Sequence, residues 1–257
     1  MLPRWNSRVR LCLDDDGIRA AWRHGWRGAR GLGASWKPET APRALDVLID
    51  GADRLLAELT RRGARLAGAR CEVVVADCWM LYDVIEADLR DVAAESVAAT
   101  LRAALADVAG APPDALEVRA QPLEARRYAA AALPAASVRA LGAVCAKHGL
   151  RLTHVTGEMV SVFNRERARL AASGAAAWLL AVLRPAGAQL GLWCDGRLAA
   201  ASFEPGARDA ASVQRLGLGL ARRAGVDEAA LRCFAAANPD AELPAGWVVL
   251  DFAGAAP

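Results

Sequence analysis

Two short segments carry residue types that could hold a phosphorylated ligand. Asp14, Asp15, Asp16 and Gly17 separate residues 8–13 (RVRLCL) from residues 18–22 (IRAAW). Arg184, Pro185, Ala186 and Gly187 separate residues 178–183 (WLLAVL) from residues 188–193 (AQLGLW). A glycine-containing turn can present backbone N–H groups to phosphate oxygens, and carboxylates can hold Mg²⁺. Neither turn completes that chemistry. The first has no Ser or Thr, and its three carboxylates repel a triphosphate unless Mg²⁺ intervenes. In the second, Arg184 supplies one cation, while Pro185 lacks the N–H donor that a cradle would use. The plainer expectation for Asp14–Asp16 is a solvated hairpin turn.

Other constellations point to structure before chemistry. His24, His148 and His154 are scattered; His148 closes a helix, a favourable place for a cation. No Ser sits in a G-x-S-x-G elbow, and no local Cys–His pair suggests a nucleophile. The six cysteines include no C-x-x-C and no His at metal-ligand spacing, so they read as buried free thiols. Asp88 and Asp91 read as helix N-terminal charges, and Arg61, Arg62, Arg65, Arg222 and Arg223 as helix C-terminal ones. Eight tryptophans are more unusual. Trp22, Trp26 and Trp36 lie among Arg23, Arg27, Arg30 and Lys37. Edge packing with cation–π contacts is one account. A protein-binding surface centred on Trp22, Arg23, Trp26, Arg27 and Trp36 is the other, since Trp and Arg dominate binding hot spots.

The chain has 257 residues, 54% of them hydrophobic, and a formal net charge of +3. That suits a soluble protein of one or two domains with a substantial core. The basic bias is too mild for a dedicated nucleic-acid binder. No apolar run approaches the ~20 residues of a membrane span, and the N-terminus lacks the apolar core of a secretory signal. A cytoplasmic protein, or the cytoplasmic part of something larger, is expected.

Positioning these residues requires two sets of strands. Residues 8–22 read as a hairpin, with a third strand and a loop in 23–43. Leu45, Leu48, Ile49, Ala52, Leu55, Leu56 and Leu59 follow helical spacing, and Gly63 stops that helix. Residues 71–77 (CEVVVAD) form a short apolar strand, followed by another in 79–85. A helix over 91–108 turns Val97, Leu101, Leu105 and Val108 inward. Residues 116–123 and 127–133 read as strands. A helix starts at Pro134 with Val138, Leu141, Val144 and Cys145 inward. Residues 150–155 form a strand, and Met159, Val162 and Phe163 mark the face of another helix. Three strands follow across 178–203, with a turn at Asp195–Gly196. A helix at 209–224 and a strand at 247–252 complete the pattern, which is α/β with mixed sheets.

This order, from the long helix through residues 71–77, the segment 79–85 and residues 149–155 to a helix holding Phe163 and Asn164 and the three strands from Trp178, resembles the actin-like ATPase superfamily. Within it, the chain is similar to the PilM family of type IV pili and the cytoplasmic region of the GspL family of type II secretion. The resemblance implies a duplicated actin-like (RNase H-like) fold of mixed sheets flanked by helices. A first subdomain with an insertion would span 8–170 and a second, shorter one 171–257. ATP-binding members carry a D-x-G-[ST]-[ST]-like turn. Here Asp14, Asp15, Asp16, Gly17, Arg184 and Gly187 stand at the corresponding places as degenerate phosphate loops. The expectation is therefore a scaffold without ATPase activity or cofactor, peripheral to the inner membrane. It would bind the short tail of a bitopic membrane protein or a motor ATPase. The alternative is a nucleotide-binding member that uses ATP and Mg²⁺ at an altered site.

Overall fold

The computed structural model describes residues 7–25, 30–89, 91–124, 126–207, 209–237 and 242–250. By their internal contacts they fall into two compact units. The first holds residues up to Trp79 together with Ala135–Gly157. The second holds Met80–Pro134 and the residues from Glu158 onward.

The first unit is built on β1 (Arg8–Leu13), β2 (Ile18–His24), β3 (Arg30–Trp36), α1 (Leu45–Arg61), β4 (Arg70–Val75), α3 (Ala135–Lys147) and β8 (Arg151–Gly157). Its sheet has the order β3-β2-β1-β4-β8. β1, β2 and β3 pair antiparallel, while β1, β4 and β8 run parallel. β1 alternates Arg8-Val9-Arg10-Leu11, and only Val9, Leu11 and Leu13 are fully buried. That is the pattern of a sheet packed on one face. The apolar face meets α1, whose buried stripe is the one the spacing predicts. Asp46 in its first turn and Arg61 in its last complement the helix dipole.

α1 and α3 pack together and are joined by charge. Asp53 of α1 accepts hydrogen bonds from Lys147 Nζ at 2.7 Å and from His148 Nε2 at 2.8 Å. The Lys147 and His148 hydrogen bonds hold the Asp53 carboxyl below the ordinary aspartate range. A depressed carboxylate contributes stability that is complete above the unfolded value of ~3.9. That stability is lost as the pH falls through the lowered folded value. Asp53→Asn is expected to cost about 1 kcal/mol at neutral pH. Urea denaturation at neutral pH and near pH ~2 checks this: the gap between wild type and variant should close in acid.

Between β4 and α3 the chain makes a separate layer. β5 (Leu81–Glu86), α2 (Ala94–Ala109), β6 (Leu116–Glu124) and β7 (Arg127–Pro134) form an antiparallel sheet of order β5-β7-β6 with α2 against it. Leu101, Leu105 and Ala106 are the buried residues of α2. Val108, expected inward, is 61% exposed, because the stripe drifts to Ala106 at the helix end. Pro134 closes β7 instead of opening the helix.

α4 (Glu158–Ala172), β9 (Ala177–Arg184), β10 (Gly187–Cys194), β11 (Arg197–Pro205), α5 (Ala210–Arg223), β12 (Leu231–Ala236) and β13 (Val248–Leu250) complete the second unit. The sheet order is β11-β10-β9-β12-β13. It repeats the first sheet strand for strand, with three antiparallel strands followed by two parallel additions. β12, to which the sequence reading gave no strand, supplies the first of those additions. β9 is buried on both faces. Trp178, Leu180 and Val182 meet Met159 and Val162 of α4, while Leu179, Ala181 and Leu183 share a cluster with Val213 and Leu220 of α5. Trp178 and Trp193 stack at 4.4 Å, with Phe163 of α4 over both.

Cys12, Cys71 and Cys145 are buried free thiols, as expected, whereas Cys78, Cys194 and Cys233 are half-buried. A hydrogen bond with Cys145 and burial both hold the Cys71 thiol protonated. Burial pushes Cys233 up to about 11. No helix among the described residues is long and apolar enough to cross a membrane.

Candidate functional site: two hairpin turns

The first turn joins β1 to β2, with the Asp14 N–H donating to the Gly17 carbonyl at 2.8 Å. Of its three carboxylates only Asp16 is solvated as expected: Asp14 is 5% and Asp15 8% exposed. Arg19, one strand residue beyond the turn, closes on Asp14 through Nε at 2.8 Å and Nη2 at 3.3 Å. Asp16 is the outward carboxylate and pairs with Lys37 at 2.5 Å. Each of Asp14 and Asp16 thus meets a cation of the protein itself.

Because Leu13 lies beside Val75 in parallel register, β1 and β4 end together. Asp77, which follows β4 in a short 3₁₀ turn and is 3% exposed, therefore sits at the same sheet end as Asp14 and Asp15. The carboxyl ends of parallel strands are the usual place for a ligand in α/β folds. Asp77 was not singled out from the sequence; the only signal was an acidic residue closing an apolar strand. Among the described residues no group of three His, Cys, Asp or Glu side chains is arranged to hold a metal ion.

The second turn, between β9 and β10, is closed differently. Arg184 donates Nε to Glu158 Oε2 at 2.8 Å and Nη2 to Glu158 Oε1. Both side chains are nearly buried, at 9% and 11% exposure. Glu158, the first residue of α4, is a site residue that the sequence reading missed. A guanidinium whose fork is matched to a carboxylate has less to offer a phosphate, which counts against a phosphate-binding role for Arg184.

The two glycines have a shared structural reason. A Cβ on Gly17 would stand 2.6 Å from the Trp36 carbonyl of β3, and one on Gly187 would stand 2.3 Å from the Glu204 carbonyl of β11. In each sheet a carbonyl of the third strand closes on the glycine at the start of the second: Gly17 just before β2, and Gly187 as the first residue of β10. Gly187 also has φ +153, where a side chain is strained.

The expected partner surface divides. Trp22 is 6% exposed and stacks on His24 with centroids 5.8 Å apart. Trp36 is half-buried and packs over Gly51 of α1. Arg23 is exposed, on the opposite face of β2 from Trp22. Strand alternation separates them, so Trp22 cannot anchor a partner beside Arg23. Trp26 and Arg27 lie outside the described residues. A hydrogen bond of 2.5 Å joins Ser7 and His24, and Ser7 is buried, at 6% exposure.

The chain has the actin-like ATPase fold. The comparisons with solved structures carry this: a protein of Bacteroides thetaiotaomicron with an actin-like ATPase fold and unknown function superposes at TM-score 0.64, with 10% identity over 92% of this chain and 84% of that one. Within the fold, the chain is similar to the cytoplasmic domain of EpsL, an inner-membrane component of the type II secretion system of Vibrio cholerae. The TM-score is 0.58, with 12% identity over 94% of this chain and 87% of that one. It is also similar to the PilM–PilN type IV pilus biogenesis complex, at TM-score 0.59 and 14% identity over 92% and 82%. No protein-family description and no curated protein matches the sequence.

Proposed function

We propose that the chain is a non-catalytic actin-like scaffold of a type IV pilus or type II secretion-like assembly. It binds the short cytoplasmic tail of a bitopic membrane protein, or a motor ATPase. The carrying observation is that charged side chains at both hairpin turns, the places where the resemblance puts phosphate loops, pair within the protein. Asp14 is closed by Arg19, Asp16 by Lys37 and Arg184 by Glu158. The likeness of its fold to EpsL and to the PilM of a PilM–PilN complex supports the assembly class. A short extended tail can add to a sheet edge or fill a groove through backbone hydrogen bonds and a few anchors.

The test is fluorescence anisotropy with labelled synthetic peptides covering the cytoplasmic tails of bitopic pilus and secretion proteins from the same genome, alongside the purified motor ATPases. Saturable binding of one of them is expected. Failure of every tail and every motor to bind would sink the scaffold reading.

A further inference from the structure

The two five-stranded sheets share a topology but not a surface. The second is apolar on both faces, with α4 against one and α5 against the other. In the first, α1 and α3 take the face of Val9, Leu11, Cys71 and Val73. The opposite face is carried by Arg8 and Arg10 of β1, Arg19 and Arg23 of β2, and their neighbours on β4 and β8.

Register makes that face orderly. Arg8 lies opposite Arg23 on β2 and beside Arg70 on β4, and Arg70 lies beside Arg151 on β8. Four arginines thus form one transverse row across β2-β1-β4-β8, and all four are exposed. At ~4.8 Å between strands the row is about 14 Å long. Among the described residues Arg8, Arg70 and Arg151 make no ion pair. Like charges directly opposite one another in a sheet are destabilising, so the row weakens the unit that carries it. Beside it runs a pocket of about 430 Å³, with Ala21, Gly33 and Cys12 among its lining and Arg10, Arg19 and Arg62 around them.

We propose that, whether or not either turn holds nucleotide, this arginine row docks an acidic helix of a partner protein. Guanidinium forks match carboxylates bidentately. A helix with Asp or Glu at i, i+3, i+7 and i+10 places them every ~4.5–6 Å along its axis, which is the strand spacing. The small-residue pocket accepts an apolar side chain from the same helix. Nucleic acid and an anionic membrane are less well served. Among the described residues the exposed large hydrophobic ones, Val47, Val92, Val108 and Val249, all lie outside the row's strands, and none is an aromatic on which a base could stack.

The experiment measures binding of a labelled helical peptide with glutamates at i, i+3, i+7 and i+10 to three forms of the full chain. Wild type should bind it, more weakly as salt rises. R8Q/R70Q/R151Q should bind about tenfold more weakly, with a thermal midpoint unchanged or raised. R167Q/R169Q/R223Q removes equal charge from exposed positions of the second unit and should bind as wild type does. Three results would each overturn the proposal. One is equal binding by the two variants. Another is earlier melting of the row variant, which would make the arginines structural. The third is tighter binding of wild type to duplex DNA or phosphatidylglycerol vesicles than to the peptide.

Discussion

Glu158→Ala is expected to destabilise the protein by about 3 kcal/mol or more, because it leaves a buried guanidinium without its carboxylate. Arg184 and Glu158 are each about nine-tenths buried and joined by both arms of the fork. Two charges taken out of water together are held by mutual attraction; removing one leaves the full desolvation cost of the other. The double variant Glu158→Leu/Arg184→Met should recover most of the loss, since a buried pair replaced by apolar residues of similar volume is often neutral. Urea denaturation of the two single variants and the double provides the measure. A Glu158→Ala protein as stable as wild type would mean that the second turn is open, and that Arg184 is available to an anion after all.

Gly187→Ala is expected to cost about 2 kcal/mol, and Gly17→Ala to be destabilising as well. In both, the added carbon meets a backbone carbonyl of the third strand, which a rotamer change cannot relieve. Gly187 adds the penalty of φ +153. The same denaturation experiment separates two explanations of these glycines. If they serve strand packing, the ligand-free protein is weakened. Had they served only as a phosphate cradle, the ligand-free protein would be indifferent to a methyl group.

Much of the architecture was legible because it is local. The stripe from Leu45 to Leu59 reads directly as α1, and the alternation of Arg8 to Leu13 as a strand with one apolar face. The Asp195–Gly196 turn announces its hairpin, with both residues at positive φ. β12 was missed because Leu231–Ala236 offers alternation blurred by alanine, and its partner β9 lies some fifty residues earlier. The site was less legible for the same physical reason. The turns could be located, but their closure depends on pairs set by tertiary packing: Arg184 with Glu158, and Asp16 with Lys37. Trp22 and Arg23 are neighbours in sequence, yet the pleat sends them to opposite faces. The arginine row is the extreme case, since its members come from four strands and only the register aligns them.

If the protein is the non-catalytic scaffold proposed above, its two turns hold no nucleotide. A thermal-shift titration of the full chain with ATP and with ADP, each with and without Mg²⁺, tests it most directly. A ligand that binds only the folded state raises stability by RT ln(1 + [L]/Kd), about 2.7 kcal/mol at a hundredfold excess over Kd. The midpoint is expected to stay unchanged at the highest nucleotide concentration. A saturable Mg²⁺-dependent rise that disappears in Asp15→Ala would contradict it and make the acidic turn a nucleotide site.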